Sequence, residues 1–444
     1  MQRSRVAKLL EWKEKNTRKP LLIDGARQTG KTYLLQNLFG ELFDSVLRVD
    51  FLESPEMAEA FAGSLTPEDI ISNIELITNK TFNPITDLLI LDEIGECQKA
   101  VTSLKYFAEK APKMYVAASG SNIGLLNSFP VGKVEQHKLR PLTFYEFLLA
   151  SGETALIKAF EAQANSAVAH AKLFDKLTDY YFTGGMPEAV SKWFELKNKS
   201  ILERVEAVDN IHANLITGYL RDFGKYSGKT DAGLIESVFS NIPSQLASVM
   251  DESVKRFKFK GVHERKSRYS DFESAITWLE KCRLVLKNHP TDGAPRSPLA
   301  AYKKENIVKL FLFDVGLLNH MLGVGYKEIK QQKFEYKGYI AENFVQQEFT
   351  AHGVDPTFSW GDARAEIEFI ATNAEGDIIP IEVKSGKRTR AKSLQSYITK
   401  CQPHKTIKLT GTQGSSPMET KNIVLPLYYA EYAVSKHLKG YYLK

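Results

Sequence analysis

The stretch that most constrains what this chain can become is residues 20–36, PLLIDGARQTGKTYLLQ. Leu21, Leu22 and Ile23 form a short apolar run of the kind a buried parallel strand shows. Gly25, Ala26, Arg27, Gln28, Thr29, Gly30, Lys31 and Thr32 then complete a G-x-x-x-x-G-K-[ST] loop, and Thr32–Gln36 reads as the opening of a helix. Gly25 and Gly30 allow a tight turn in which successive backbone N–H groups face phosphate oxygens, and the positive end of the helix adds to that anion site. Residues 25–33, through Tyr33, are therefore the expected phosphate-binding set. Lys31 would reach the β- and γ-phosphates and the Thr32 hydroxyl would ligate Mg²⁺. A chance match in a glycine-containing turn would lack the strand before it and the helix after it. The motif implies ATP and Mg²⁺ as ligands.

A second landmark fits the first. Leu88, Leu89, Ile90 and Leu91 run straight into Asp92 and Glu93. Apolar strands often end in acids, but in an alternating strand–helix pattern this one would deliver Asp92 to the Mg²⁺ and let Glu93 polarise a water for attack on the γ-phosphate. Tyr115–Ser119 reads as a further strand, followed by Gly120, Ser121 and Asn122. A polar side chain there would sit between the acidic strand and the γ-phosphate. Asn122 is the catalytic candidate and Ser121 fits as well; either also fits a turn or helix cap. Ser45–Phe51 is another expected strand, and the whole predicts an α/β fold with a parallel sheet covered on both faces.

The motifs GARQTGKT, LILDEIGEC, ASGSN, LRPLTFYEFL (Leu139–Leu148) and YFTGGMPEAV (Tyr181–Val190) resemble a large prokaryotic group of AAA+-type P-loop ATPases that carry a C-terminal PD-(D/E)xK nuclease-like domain. The resemblance runs over nearly the whole chain. It implies a P-loop ATPase core over 1–142, a helical lid over 143–228, a winged-helix module over 229–326 and a restriction-endonuclease-like α/β domain over 327–444. It also implies a homo-oligomer, since such sites borrow an arginine from a neighbour. Members of the group often have Gly-Arg where this chain has Gly132-Lys133; Arg140 is the nearest substitute, and a salt-bridged surface arginine is its plainer reading. Gly184-Gly185 interrupts the helical stretch as a hinge or, better, as a cap and turn.

The charge is distributed unevenly. The formal net charge of +6 permits a polyanionic partner without requiring one. Lys255, Arg256, Lys258, Lys260, Arg265, Lys266 and Arg268 cluster with Phe257 and Phe259 interleaved and Glu264 the only acid among them. Such a run contacts phosphates or is simply a solvated face. It lies just before Tyr269–Leu284, a helix whose Phe272, Ile276 and Leu279 fall at core spacing. Lys387, Arg388 and Arg390 form a second basic run.

Beyond residue 330, Tyr336–Thr350 reads as an amphipathic helix bearing Glu342. Residues 365–370 and 379–384 alternate around a turn at 373–377, which predicts a hairpin. Period two puts Glu366 with Glu368 on one face and Glu382 with Lys384 on one face. In the nuclease resemblance Glu342, Glu368, Glu382 and Lys384 would be the metal and water-activating set, with glutamate where aspartate is usual; a half-exposed charged hairpin in an inactive relic has the same pattern.

Cys97, Cys282 and Cys401 are far apart and read as free thiols, and no run approaches 18 apolar residues, so a cytoplasmic protein without a membrane span is expected. The leading functional expectation is an ATP-hydrolysing protein acting on nucleic acid, DNA above all. The alternative is a nucleotide-dependent signalling switch with an inactive nuclease-like interaction domain.

Overall fold

The computed structural model describes residues 2–126, 128–228, 230–248, 256–304, 306–331, 337–362, 365–386, 392–414 and 421–438. The chain divides into two compact units, one of Met1–Arg140 with Lys281–Arg283 and one of Pro141–Glu280 with Leu284–Lys444.

The first unit is built on five strands: β1 (Leu21–Asp24), β2 (Val46–Asp50), β3 (Leu88–Asp92), β4 (Tyr115–Gly120) and β5 (Glu135–Lys138), in the order β2-β3-β4-β1-β5. Every pairing is parallel. All residues of β1 and β3 are buried, which is why both read as unbroken apolar runs rather than alternating ones. Two cores flank the sheet. One gathers Leu9, Trp12, Ile23, Leu35 and Phe39; the other gathers Leu89, Leu91, Ile70, Leu104 and Phe107. A helix over Val6–Lys13 precedes β1 and buries Leu9 and Trp12. β5, which sequence reasoning did not find, is a half-exposed edge strand of polar residues, EQHK.

In the second unit, residues 143–226 form five helices, Phe144–Ser151, Thr154–Glu161, Ala167–Thr183, Pro187–Glu195 and Ile201–Tyr226. Thr143 and Ser200 open two of them with complete capping boxes to Glu146 and Glu203. The glycine pair is a packing turn. Gly184 sits at φ +67°, a Cβ on it would meet Asp314 Oδ1 at 2.1 Å, and Gly185 N donates to Asp314 Oδ2 at 2.7 Å.

The stretch read as a winged helix does not form a sheet of its own. Its strands β6 (Val285–Thr291) and β7 (Lys309–Leu312) are one end of a seven-stranded mixed sheet with β8 (Thr357–Gly361), β9 (Glu366–Thr372), β10 (Ile378–Lys384), β11 (Thr406–Thr410) and β12 (Asn422–Pro426). β6 pairs parallel to β8, so the 229–326 and 327–444 segments share one sheet. The expected hairpin is there: β9 and β10 pair antiparallel, Thr372 opposite Ile378.

Helix Lys337–Ala351 departs from the amphipathic expectation. It is buried along nearly its whole length, and its polar side chains bond to β7, β8 and the helices that begin at Phe144 and Val315. Lys309 Nζ donates to Glu342 at 2.6 Å, and Asn343 pairs both ways with the Leu312 backbone. Gln346 accepts from Thr357 Oγ1, Gln347 from Val315 N, and Glu348 from Phe144 N at 2.9 Å. Each of these buried side chains makes at least one hydrogen bond to another element, and the bonds fix the register of the helix against its neighbours.

Burial pushes the Glu348 carboxyl up to about 8 and Asp314 up to about 6; in Glu348 the neighbouring Glu146 adds to the effect and the Phe144 N–H opposes it. A carboxyl whose folded pKa exceeds its unfolded value binds its proton more tightly when folded, so its contribution to stability is full below the unfolded pKa and lost as pH rises. Stability should therefore fall between about pH 4.5 and 8 on account of Glu348. Glu348→Gln, which keeps an acceptor for Phe144, should flatten that fall by on the order of 2–4 kcal/mol, at about 1.4 kcal/mol per pKa unit. Denaturant titrations of both proteins across this range measure it.

Candidate active site

The register of the first sheet pairs Asp24 with Gly120 and Asp50 with Asp92, which brings the carboxyl ends of β1 to β4 to one edge. In open parallel sheets that edge is where ligands bind. The Gly25–Thr32 loop leaves β1 there, and the two carboxylates leave β3 there.

The loop geometry depends on its glycines. A Cβ on Gly25 would meet the Leu139 carbonyl oxygen at 2.3 Å, and Gly30 is left-handed at φ +85°. Gln28 is also left-handed at φ +62°. Lys31 is buried, with Nζ donating to the Gly25 and Ala26 carbonyls at 3.1 and 3.0 Å. Burial lowers its pKa, and the charges of Glu93, Asp92 and Asp24 oppose that. An ammonium held this way in its own loop is aimed where a triphosphate would offer charged acceptors in place of neutral carbonyls.

Thr32 and Asp92 meet. Thr32 Oγ1 donates to Asp92 Oδ2 at 2.8 Å, close to the roughly 2.9 Å edge between adjacent oxygens around an octahedral Mg²⁺ with bonds of about 2.0–2.1 Å. These two hard oxygens fit that ion. Arg48, on β2, shares the same carboxylate oxygen through Nε at 3.1 Å and Nη2 at 2.9 Å. Ser119 Oγ and the Glu93 N–H serve Oδ1, so Asp92 is fixed on both sides.

Glu93 follows with φ +48°, an uncommon backbone state for a non-glycine residue and one that persists where the surroundings impose it. Burial raises its carboxyl, Asp92 adds to that, and Lys31 opposes both. Ser121 Oγ donates to Glu93 Oε2 at 3.4 Å. The two serines, Ser119 and Ser121, thus touch the acidic pair, whereas the Asn122 side-chain oxygen accepts from Cys282 Sγ at 3.6 Å.

Two arginines at this edge had no motif to mark them. Arg48 is a charge inside an otherwise strand-like run. Within the first unit, Arg283 Nε donates to Asp24 Oδ2 at 3.0 Å, a pairing 259 residues apart in sequence. Arg140, read as a surface arginine, is buried, and its carbonyl accepts from Arg3 Nη2 at 2.7 Å.

In the second unit the hairpin brings part of the expected acidic set together. Lys384 Nζ lies 3.3 Å from Glu368 Oε1 and 3.0 Å from Glu382 Oε1, and Glu368 Oε2 accepts from Val383 N at 3.0 Å. Burial raises the Glu382 carboxyl and Lys384 opposes it; burial also disfavours the charged lysine, but the two carboxylates outweigh that and push it up to about 12. Glu342 pairs instead with Lys309, which also lies 3.5 Å from Glu366 Oε1. The chemistry available is an ionic lock of two carboxylates on one ammonium, with hard oxygens a divalent cation could use.

Of the basic residues, Arg256, Lys258, Lys260, Arg265 and Arg268 are exposed and Lys266 is half-buried, while Lys255, Lys387, Arg388 and Arg390 lie outside the described residues. Phe259 packs edge-on against Phe257 and Tyr269 and tilted against Phe272, so the interleaved aromatics anchor the segment and leave its cations in solvent.

A family model described as AAA domain matches residues 17–148, which include the glycine loop and the Asp92–Glu93 pair and support a P-loop ATPase. Models described as domains of unknown function match residues 174–328 (DUF8612) and 337–430 (DUF4143). No match is found among the curated proteins. Among solved structures the chain is similar to a Walker-type ATPase of Pyrococcus abyssi, at 13% identity and TM-score 0.42 over 71% of this chain and 94% of that one. It is also similar to Drosophila ORC bound to DNA, at 13% identity and TM-score 0.24 over 71% and 84%. A signal transduction ATPase (STAND) protein with a tetratricopeptide repeat sensor from Pyrococcus horikoshii matches at 11% identity and TM-score 0.24, over 79% of this chain and 45% of that one. No helix among the described residues is long and apolar enough to cross a membrane.

Replacing Lys31 with alanine removes the buried ammonium. Charge-assisted hydrogen bonds contribute about 1.5–3 kcal/mol. Affinity for Mg²⁺–ATP should therefore fall roughly 10- to 150-fold by isothermal titration, with the first unit still folded.

Proposed function

We propose that the chain hydrolyses ATP with Mg²⁺ at the edge of the five-stranded sheet and couples this to nucleic acid, DNA above all. The observation that carries the ATPase reading is the 2.8 Å contact of Thr32 with Asp92, flanked by Lys31 and Glu93. Mg²⁺ bound there would neutralise charge between the β- and γ-phosphates; Thr32 and Asp92 would hold it. Lys31 would turn from its loop carbonyls to the phosphates. Glu93, its carboxyl raised by burial and restrained by Ser121, would orient and deprotonate the attacking water. Ser121, rather than Asn122, is the better-placed polar contact for that glutamate.

The nucleic-acid half rests on the exposed cations of residues 256–268, which are anchored from below by Phe257 and Phe259. Exposed cations on an anchored segment suit phosphate contact and make no provision for reading bases. Cleavage forms no part of this reading: Lys384 bridges Glu368 and Glu382 as a lock. The AAA resemblance supports a homo-oligomer completed by a neighbour's arginine.

Glu93→Gln should bind ATP as the parent does and slow hydrolysis by about 10²–10⁴-fold in a phosphate-release assay. A Glu93→Gln protein that turns over ATP at the parental rate overturns the assignment of the base. For the DNA half, the parent should bind duplex or single-stranded DNA with affinity that falls steeply with salt. Arg256→Glu with Arg268→Glu should weaken binding and reduce the salt slope by roughly 2. DNA-independent ATPase rates together with unaltered binding in that variant favour the signalling-switch reading instead.

A further inference from the structure

Helices Ile201–Tyr226 and Val315–Met321 bring Asp209, His212 and His320 together in the second unit, and none of the three is among the residues assigned above to nucleotide or DNA. Asp209 and His212 are three residues apart, which makes them neighbours on one helical face. His320 comes from the other helix, and one ligand atom from each residue lies within 4.8 Å of the other two. His320 Nδ1 and Asp209 Oδ1 are 3.3 Å apart. That matches the roughly 3.3 Å edge of a tetrahedron whose bonds to zinc are about 2.0–2.1 Å.

The second observation is His212 itself. Its side chain is fully buried, yet Nδ1 has no hydrogen-bond partner among the described residues. Nε2 lies 3.1 Å from the Thr183 carbonyl oxygen. A carbonyl only accepts, so Nε2 carries the proton and Nδ1 presents a bare lone pair. A backbone carbonyl on the far nitrogen is how proteins orient metal-binding imidazoles. Asp209 and His320 remain partly exposed, at 44% and 25% of their side-chain surface, which leaves an entry path.

We propose that Asp209, His212 and His320 form a three-ligand site for a divalent transition metal, zinc by donor chemistry, with a fourth position open to water. Two imidazoles and one carboxylate suit zinc; Mg²⁺ and Ca²⁺ take oxygen ligands. The ion would brace the second unit. His212 is bonded to the last turn of helix Ala167–Thr183, and the neighbouring Asn319 donates to the Tyr181 carbonyl at 2.8 Å. Both ties stand beside the Gly184 turn, so metal would fasten three helices at one point.

The test uses the full chain, stripped with a chelator and dialysed against Zn²⁺, with metal content measured by mass spectrometry and Co²⁺ as a visible probe. One Zn²⁺ per chain is expected, with tetrahedral d–d bands for Co²⁺ and a higher melting temperature in Zn²⁺. Asp209→Asn and His320→Ala, both at partly exposed positions, should each weaken Zn²⁺ binding by roughly 10–100-fold and abolish the Co²⁺ bands. His352→Asn removes a ligand from the separate Glu348, His352 and Glu431 group and should leave binding intact. Absence of stoichiometric metal, undiminished binding in the Asp209 and His320 variants, or loss of binding in His352→Asn overturns the proposal.

Discussion

The first unit turns on a single short-range event, the hydroxyl of Thr32 meeting the carboxylate of Asp92 across the edge of a parallel sheet. Sixty residues separate them, and only a sheet with every strand running the same way sets a loop after β1 and an acid at the end of β3 side by side. The geometry around them is over-determined. Asp92 is held by Arg48, Ser119 and its own successor's N–H, and Gly25 is pressed against the Leu139 carbonyl. Such redundancy lets a non-glycine residue, Glu93, sit with a left-handed backbone without the turn relaxing.

What could be read from the chain beforehand followed from burial. Where a strand is covered on both faces, its sequence is apolar throughout, so β1 and β3 announced themselves and delivered Lys31, Thr32, Asp92 and Glu93 with them. β5 escaped notice because an edge strand of EQHK carries no such signature. Arg48 and Arg283 escaped for another reason: a salt bridge leaves no periodic trace, and the partner of Arg283 lies 259 residues away. The AAA match over residues 17–148 agrees with this core and ends within the first helix of the second unit, Phe144–Ser151.

In the second unit, local pattern misled in an instructive way. Lys337–Ala351 carries Glu342, Asn343, Gln346, Gln347 and Glu348, a composition that ordinarily marks a solvated face. The residues are inside because each has its own partner on another segment, information that is long-range by nature. In the basic stretch the interleaved phenylalanines pack on one another and on Phe272, and are the foundation on which the cations stand.

The parallel pairing of β6 with β8 has an evolutionary corollary. Recombination that moved residues 327–444 into another gene by themselves would tear β6 and β7 from the sheet and leave β8 with an unpaired flank, an invitation to aggregation. The smallest piece that can be shuffled without such damage begins before Val285 and runs through Pro426. A descendant that kept the C-terminal strands must therefore have carried the preceding helix–strand segment along, whatever task that segment performs.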